Sequence, residues 1–208
     1  QANYRLGIFM MLVVNMFDAA WRPFFIQKAQ QPGAKELFAR VLTYFTLAGG
    51  LVFLGVTLFI GDLVSFPLPG GRALIHPSYW AGLSIVPVVT LGYVFNGIYI
   101  NFLAPVTLAK RTDLVAYATA TGAAVNIGAN LILIPYWGMM GAAIATLAAY
   151  AAMAWALFLF GRKVYPIAYE YGRLAHAACV LAGATAAAFG LHPSTGPAGR
   201  VFNLGILA

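Results

Sequence analysis

The sequence predicts an all-α membrane protein, a polytopic bundle of about six transmembrane helices. Of its 208 residues, 62% are hydrophobic and only 8% are charged, whereas a soluble domain carries about 25% charged residues. So few charges cannot cover the surface of a water-soluble globule, and disorder requires low hydrophobicity. The apolar runs also lack the alternation of a transmembrane barrel, which leaves helices in a lipid bilayer.

Six apolar runs approach or reach the roughly 20 residues that a helix needs to cross a bilayer. They cover residues 4–27, 37–60, 80–104, 113–134, 139–160 and 173–190, and a seventh is expected to begin near Arg200. Helix-breaking residues separate them, Gln31-Pro32-Gly33 first and Pro67, Pro69, Gly70 and Gly71 next. The link Pro135-Tyr136-Trp137-Gly138 is so short that the fourth and fifth runs are predicted to form an antiparallel hairpin.

The basic residues predict the orientation of these runs. Eight of them flank the first, third and fifth connections: Lys28, Lys35, Arg40, Lys110, Arg111, Arg162, Lys163 and Arg173. Three lie on the alternate side: Arg5, Arg72 and Arg200. The positive-inside rule places the side with eight in the cytoplasm. The net charge of +7 is therefore attributed to membrane topology, and no nucleic-acid partner is expected.

The two ends of the chain suggest a longer protein. The chain starts at Gln1 and stops inside the apolar run of residues 203–208, and its first run enters from the outside in the predicted orientation. We expect residues 1–208 to be a single transmembrane domain within a longer membrane protein.

Asp18 and Arg22 are charged residues within the first apolar run. Because they are four residues apart, they lie on the same side of a helix. One interpretation is a self-neutralising pair that stabilises the helix, and another is a pair that extends toward the membrane interface. The functional interpretation makes Arg22 a cationic residue that lines a cavity for an anionic substrate, with Asp18 as its partner or as a proton site.

Two prolines interrupt predicted helices. Pro23 follows Arg22, and Pro87 lies in the third run. Each removes a backbone hydrogen bond and bends a helix. The bend is either a packing feature or a hinge for alternating access.

Four asparagines lie within predicted membrane helices. They are Asn96 and Asn101 in the third run and Asn126 and Asn130 in the fourth. Asparagine in such a place usually forms a hydrogen bond to another helix, and the alternative is a contact with substrate. The fifth run carries the small residues Gly141, Ala145 and Ala149, which predict close helix packing.

Catalytic and metal-binding patterns are missing from the sequence. The three histidines, His76, His176 and His192, have no metal-ligand spacing, and a disulfide cannot form within the chain because Cys179 is its single cysteine. No phosphate-binding loop or nucleophile pattern is present. We therefore expect no metal, no cofactor and no enzymatic activity.

Several short stretches resemble polysaccharide-type flippases of the multidrug/oligosaccharidyl-lipid/polysaccharide exporter superfamily. The main one is Ile-Pro-Tyr-Trp-Gly-Met-Met-Gly-Ala-Ala-Ile-Ala-Thr at 134–146, which resembles a turn and helix start of that family. Weaker similarities lie at residues 20–24, 92–97, 110–112, 126–131 and 165–170. Together they cover roughly residues 3 to 173.

This resemblance implies a two-lobe transporter with a central cavity, of which the chain forms most of the C-terminal lobe and lacks the N-terminal lobe. Such proteins flip lipid-linked oligosaccharides of the undecaprenyl-pyrophosphate type outward across the bacterial inner membrane. Ion-coupled alternating access is implied in place of ATP hydrolysis. Arg22 then corresponds to the cationic cavity residues thought to meet the pyrophosphate, and Asp18, Asn96, Asn101, Asn126 and Asn130 complete the candidate substrate-binding set.

Two other functions remain open at this point. A sibling exporter of cationic drugs should favour acidic cavity residues, and a sibling that flips a peptidoglycan precursor belongs to the same superfamily. A membrane-embedded glycan polymerase or acyltransferase needs an ionisable cluster in a large external loop. The longest external connection, residues 61–79, carries only Asp62, Arg72 and His76.

Overall fold

The computed structural model describes residues 2–68, 72–73, 80 and 82–191, with side chains for 10–62, 64–66, 80 and 82–187. The described part contains six α-helices and one pair of two-residue strands, so the chain is all-α, as predicted. In chain order the elements are α1 (Ala2–Lys28), α2 (Ala34–Ser65), β1 (Pro67–Leu68), β2 (Arg72–Ala73), α3 (Ile85–Asn101), α4 (Leu103–Leu108), α5 (Asp113–Val164) and α6 (Tyr171–Leu191). The helix predicted to begin near Arg200 lies outside the described residues.

Each of the six predicted apolar runs overlaps a helix, and the helix ends follow the turn chemistry. The turn after α1 passes through Gly33 with φ +80°, a left-handed conformation that glycine adopts without a steric penalty. Helix α2 ends at Ser65, two residues before Pro67, because a helix cannot easily continue into the residue preceding a proline. The antiparallel β1–β2 pair, which the sequence does not predict, places Pro67 opposite Ala73.

Within the described residues, three helical segments are long and apolar enough to cross a membrane: Ala34–Asp62, Ile85–Leu108 and Asp113–Val164. The chain is therefore a membrane protein whose apolar helices associate with the lipid bilayer. Helices α1 and α6 do not meet the same criterion of length and composition. The number of membrane crossings and their orientation stay predictions.

Helix α5 reverses direction in the middle, which confirms the predicted hairpin. The reversal occurs at Gly138, whose φ of 51° and ψ of −124° are non-helical. A side chain placed on Gly122 would meet the side chain of Met153 and the carbonyl of Ala149, and one on Gly141 would meet the backbone of Leu133. Residues 113–137 and 139–164 are therefore antiparallel neighbours, called here the N-terminal and C-terminal arms of α5.

The small residues of the C-terminal arm lie at helix contacts, as predicted. Gly141 is buried, and Ala145 and Ala149 are almost completely inaccessible to solvent. The Pro135 to Gly138 turn itself lies at the surface, where Tyr136 and Trp137 are exposed. Because Gly141, Ala145 and Ala149 carry no large side chain, neighbouring helices can approach this face of the C-terminal arm closely.

The third predicted run, residues 80–104, corresponds to the helical segment Ile85–Leu108, which starts later than predicted. A one-residue break at Phe102, whose φ of −75° and ψ of −4° stay in the right-handed helical region, separates α3 from α4. Pro105 explains the break, because it has no N–H to donate to the carbonyl of Asn101 and its ring would collide with that carbonyl. Pro87 lies in the first turn of α3, where a proline removes no helical hydrogen bond, so its assignment as a kink or hinge is wrong.

Helix α3 forms the centre of the bundle and packs against α1, α2 and α5. Helix α3 approaches α2 closely at Gly97. A Cβ added to Gly97 would lie only 1.9 Å from the ring of Phe45 on α2, so this position requires glycine. On the far side of α2, Leu181 of α6 occupies the space beside Gly50. The main core cluster includes aromatic side chains from α1 and α2, with Trp21 edge-on to Phe38 at 5.6 Å.

Candidate functional site

Asp18 and Arg22 form an ion pair on α1. The Nε of Arg22 donates a hydrogen bond of 2.7 Å to Oδ1 of Asp18, one helical turn away. The Arg22 side chain is 56% exposed and that of Asp18 is 27% exposed. Arg22 therefore does not point into the described bundle, and its predicted place in the lobe interior or the central cavity stays a prediction only for the cavity. The inward face of α1 is occupied instead by Trp21 and Phe25, which are both buried.

The ion pair uses only part of the donor capacity of Arg22. A guanidinium has five N–H donors, and Nε is the one bonded to Asp18. Its two terminal nitrogens have no hydrogen-bond partner among the residues that the structure describes. The pair is neutral overall, yet it presents a fork of unused donors on the exposed side of α1.

A second polar contact lies on the neighbouring helices. Tyr99 lies on α3, and its side chain is largely buried. The hydroxyls of Tyr99 and Thr119, 3.4 Å apart, share a hydrogen bond that joins α3 to the N-terminal arm of α5. Helices α1 and α5 both pack on α3 and scarcely contact each other. Tyr99 thus lies on the helix between them.

Asn126 and Asn130 continue the polar surface along α5. The amide Nδ2 of Asn130 donates to Oδ1 of Asn126 at 2.9 Å, and both side chains are half-buried. The bond lies within one helix, so the predicted hydrogen bond to another helix is not formed by this pair in the described part of the chain. Thr119, Asn126 and Asn130 are spaced by seven and four residues, which places them on one face of the arm. Buried Oδ1 of Asn130 has no partner among the described residues.

The two asparagines of α3 behave differently from this pair. Asn101 is 3% exposed and its Nδ2 donates to the carbonyl of Gly97 at 2.9 Å. Its buried Oδ1 has no partner among the described residues, and its role in substrate binding stays a prediction. Asn96 is half-buried and makes no side-chain hydrogen bond within the described residues.

Three separate polar pairs, Asp18–Arg22 on α1, Tyr99–Thr119 between α3 and α5, and Asn126–Asn130 on α5, are together called here the polar strip. Sequence reasoning identified four of these residues and missed Tyr99 and Thr119. A usable signal existed for both. Tyr99 follows Asn96 by three residues, and Thr119 precedes Asn126 by seven, so each shares a helix face with a polar residue already identified.

Two further ion pairs lie in the connections between helices. Both oxygens of Asp113 accept hydrogen bonds from Arg111, at 2.8 and 2.9 Å, and this bonding raises the pKa of Arg111. Glu170 accepts a hydrogen bond from Arg173. Nearby, burial raises the pKa of Tyr169, which keeps its phenol neutral.

Metal-binding clusters are not found within the described residues. Cys179 and His176 are exposed on α6, while His76 and His192 lie outside the described residues. The polar strip therefore depends on hydrogen bonding and on one guanidinium for any recognition of a ligand. This chain matches no protein-family model, no curated protein and no solved structure.

Proposed function

We propose that this protein flips a lipid-linked oligosaccharide of the undecaprenyl-pyrophosphate type outward across the bacterial inner membrane by ion-coupled alternating access. The observation that carries the proposal is the Asp18–Arg22 pair, because it presents unused guanidinium donors on the exposed side of a helix. The sequence predicts that α1 crosses the membrane, and ionisable residues in a membrane helix usually face the bundle interior or a wet cavity and mark a substrate path.

The chemistry of a guanidinium suits a pyrophosphate. Its planar fork of donors matches phosphate oxygens in a bidentate way, and it keeps its charge at any physiological pH. Asp18 holds Nε and so orients the fork, while the terminal nitrogens remain available. The carboxylate also neutralises the charge when no substrate is bound, which lowers the cost of keeping arginine in an apolar helix.

The remaining residues of the polar strip suit the sugar part of such a substrate. Hydroxyl and amide side chains both donate and accept hydrogen bonds, as sugar hydroxyls do. The hydroxyls of Tyr99 and Thr119 lie 3.4 Å apart, and Asn126 lies two turns further along the N-terminal arm of α5. An extended headgroup with its phosphates at Arg22 then has polar partners along the strip.

The experiment compares three variants in cells that depend on the protein for surface glycan. Arg22→Ala should abolish glycan export while the protein still inserts in the membrane. Arg22→Lys should retain part of the export, because the charge survives and the bidentate geometry is lost. The matched control is Arg111→Ala, which removes an arginine that also pairs with an aspartate but lies in a connection between helices.

The readouts are surface glycan and the amount of protein in the membrane fraction. The proposal expects loss of glycan for Arg22→Ala at an unchanged protein level, and normal glycan for Arg111→Ala. Normal export by a well-expressed Arg22→Ala variant would show that Arg22 only anchors the helix.

A further inference from the structure

A second feature, separate from the polar strip, is an apolar groove between α3 and the C-terminal arm of α5. Its volume is about 520 Å³. Phe95 and Ile98 of α3 line one wall, and Ala151, Ala154 and Trp155 of α5 line the other. The two alanines leave the space open, since larger residues at these positions would fill it. A volume of this size is within the range of small-molecule sites.

The length of the groove matches one leaflet of a bilayer. Its lining runs along α5 from Ala151 to Arg162, and a helix rises 1.5 Å per residue, so these residues span about 16 Å. The hydrocarbon core of a bilayer is about 30 Å thick, or about 15 Å for each leaflet. One acyl chain of a membrane lipid therefore fits along the groove.

One end of the groove is polar and positively charged. The guanidinium of Arg162 lies 5.5 Å from the ring centroid of Phe158, a cation–π contact that holds it over the groove. Tyr171, the first residue of α6, lines the same end and packs edge-on against Phe158 at 6.3 Å. The rest of the lining that this chain contributes is apolar.

Arg162 has no carboxylate partner among the described residues. The connection from α5 to α6 contains one acidic residue, Glu170, and its carboxylate already bonds Arg173 and Thr43. Lys163, the next residue, is a further cation of the last turn of α5 but does not line the groove. The charge of Arg162 at this end of the groove is therefore uncompensated, and an anionic headgroup complements it.

We propose that the groove binds one chain of a bilayer phospholipid with an anionic headgroup, and that Arg162 binds the headgroup phosphate. A membrane lipid combines both properties that the groove requires, an apolar tail of one leaflet's length and a negative charge at its end. A free phosphate would leave the apolar length unused, and a zwitterionic lipid would leave the Arg162 charge without a net anion. The inference is independent of the proposed transport function, because none of the residues of the polar strip lines the groove.

The test uses the purified protein in detergent with added phospholipids of identical chains. Lipid binding is measured by native mass spectrometry and by the shift of the thermal unfolding midpoint. Phosphatidylglycerol should bind and stabilise the protein more than phosphatidylcholine. Arg162→Gln should lower the affinity for phosphatidylglycerol about fivefold, since a basic residue near an anionic membrane surface contributes about that factor. It should weaken phosphatidylcholine binding less, because the choline cation already neutralises the phosphate that both lipids share.

The matched control is Lys163→Gln, which removes an exposed cation of the same turn that does not line the groove. It should change the phosphatidylglycerol affinity less than twofold. Ala151→Trp should block the apolar part of the groove and weaken binding of both lipids. If Ala151→Trp does not fold, the comparison of Arg162→Gln with Lys163→Gln decides the question alone.

Three results would overturn the proposal. Equal binding of the two lipids by the unchanged protein would remove the role of headgroup charge. A preference for phosphatidylglycerol that survives Arg162→Gln, or that Lys163→Gln abolishes equally, would place the headgroup elsewhere. Competition by inorganic phosphate at the same concentration as the lipid would show a simple anion site without a bound chain.

Discussion

The hydroxyl of Thr43 donates a hydrogen bond of 2.8 Å to the carboxylate of Glu170, although the two residues are 127 positions apart in the chain. Thr43 lies on α2 and Glu170 lies directly before α6, so the bond joins the second helix to the connection that follows α5. The other oxygen of Glu170 accepts a hydrogen bond from Arg173. A single carboxylate thus positions the start of α6 against α2.

The first prediction concerns this bond. Thr43→Val keeps the shape of the side chain and removes the donor, so one oxygen of Glu170 loses its partner. Hydrogen bonds to charged groups contribute about 1.5–3 kcal/mol to stability. We expect the free energy of unfolding to fall by an amount at the lower end of this range, because the Glu170 side chain is 24% exposed. The thermal unfolding midpoint in detergent should fall accordingly.

Thr46→Val is the control for this prediction. Thr46 also lies on α2 but donates to the carbonyl of Leu42 in its own helix, which the backbone already satisfies. Its replacement should change stability by less than about 0.5 kcal/mol. Equal losses for the two variants would contradict the role of Glu170.

The second prediction separates packing from helix propensity in the α5 hairpin. Gly141→Ala would place a Cβ 2.5 Å from the carbonyl oxygen of Leu133, and backbone cannot move aside cheaply. We expect Gly141→Ala to lower the free energy of unfolding by about 1–3 kcal/mol, as at other overpacked sites. Gly128→Ala meets nothing within 4 Å and should gain about 0.5–1 kcal/mol from the lower flexibility of alanine. A gain for both variants in a denaturation titration would show that the arms are further apart.

The third prediction tests how Asp18 and Arg22 depend on each other. Asp18→Asn leaves the guanidinium without its carboxylate. In the predicted topology α1 crosses the membrane, where an unpaired charge is costly. The amount of protein in the membrane should therefore fall. The double variant Asp18→Asn/Arg22→Gln removes both charges and should restore the amount of protein, while glycan export stays lost. A wild-type level of the single Asp18→Asn variant would show that the pair does not stabilise the helix.

The fourth prediction concerns orientation. Cys179 is exposed, so it is first replaced by alanine to give a background without thiols. A cysteine at position 111 should then be unreactive to an impermeant reagent in intact cells and should react after the membrane is opened, because the positive-inside rule places this connection in the cytoplasm. Labelling of position 111 from outside intact cells would reverse the orientation. A cysteine at position 136, in the hairpin turn, should show the opposite pattern.

The helices and most of their connections were predictable from local chemistry. Long apolar runs require the backbone to satisfy its own hydrogen bonds in lipid, and a helix does so within one segment. Gly33 and Gly138 adopt positive φ, so their residue type marks the turns directly. The hairpin followed from the shortness of its link. The ion pair of Asp18 and Arg22 followed from their spacing of four residues.

The direction in which polar side chains point was decided by packing between distant segments. Arg22 is exposed because Trp21 and Phe25, on the adjacent side of α1, pack into the core among side chains such as Phe38 of α2. Asn101 is buried because Pro105 ends α3 at that residue and the chain packs around it. Glu170 and Tyr99 acquire their partners from residues 127 and 20 positions away. Helical periodicity shows which residues share a face of one helix and how apolar that face is. Which face is covered depends on contact with the other helices, because burial is a property of the assembled bundle.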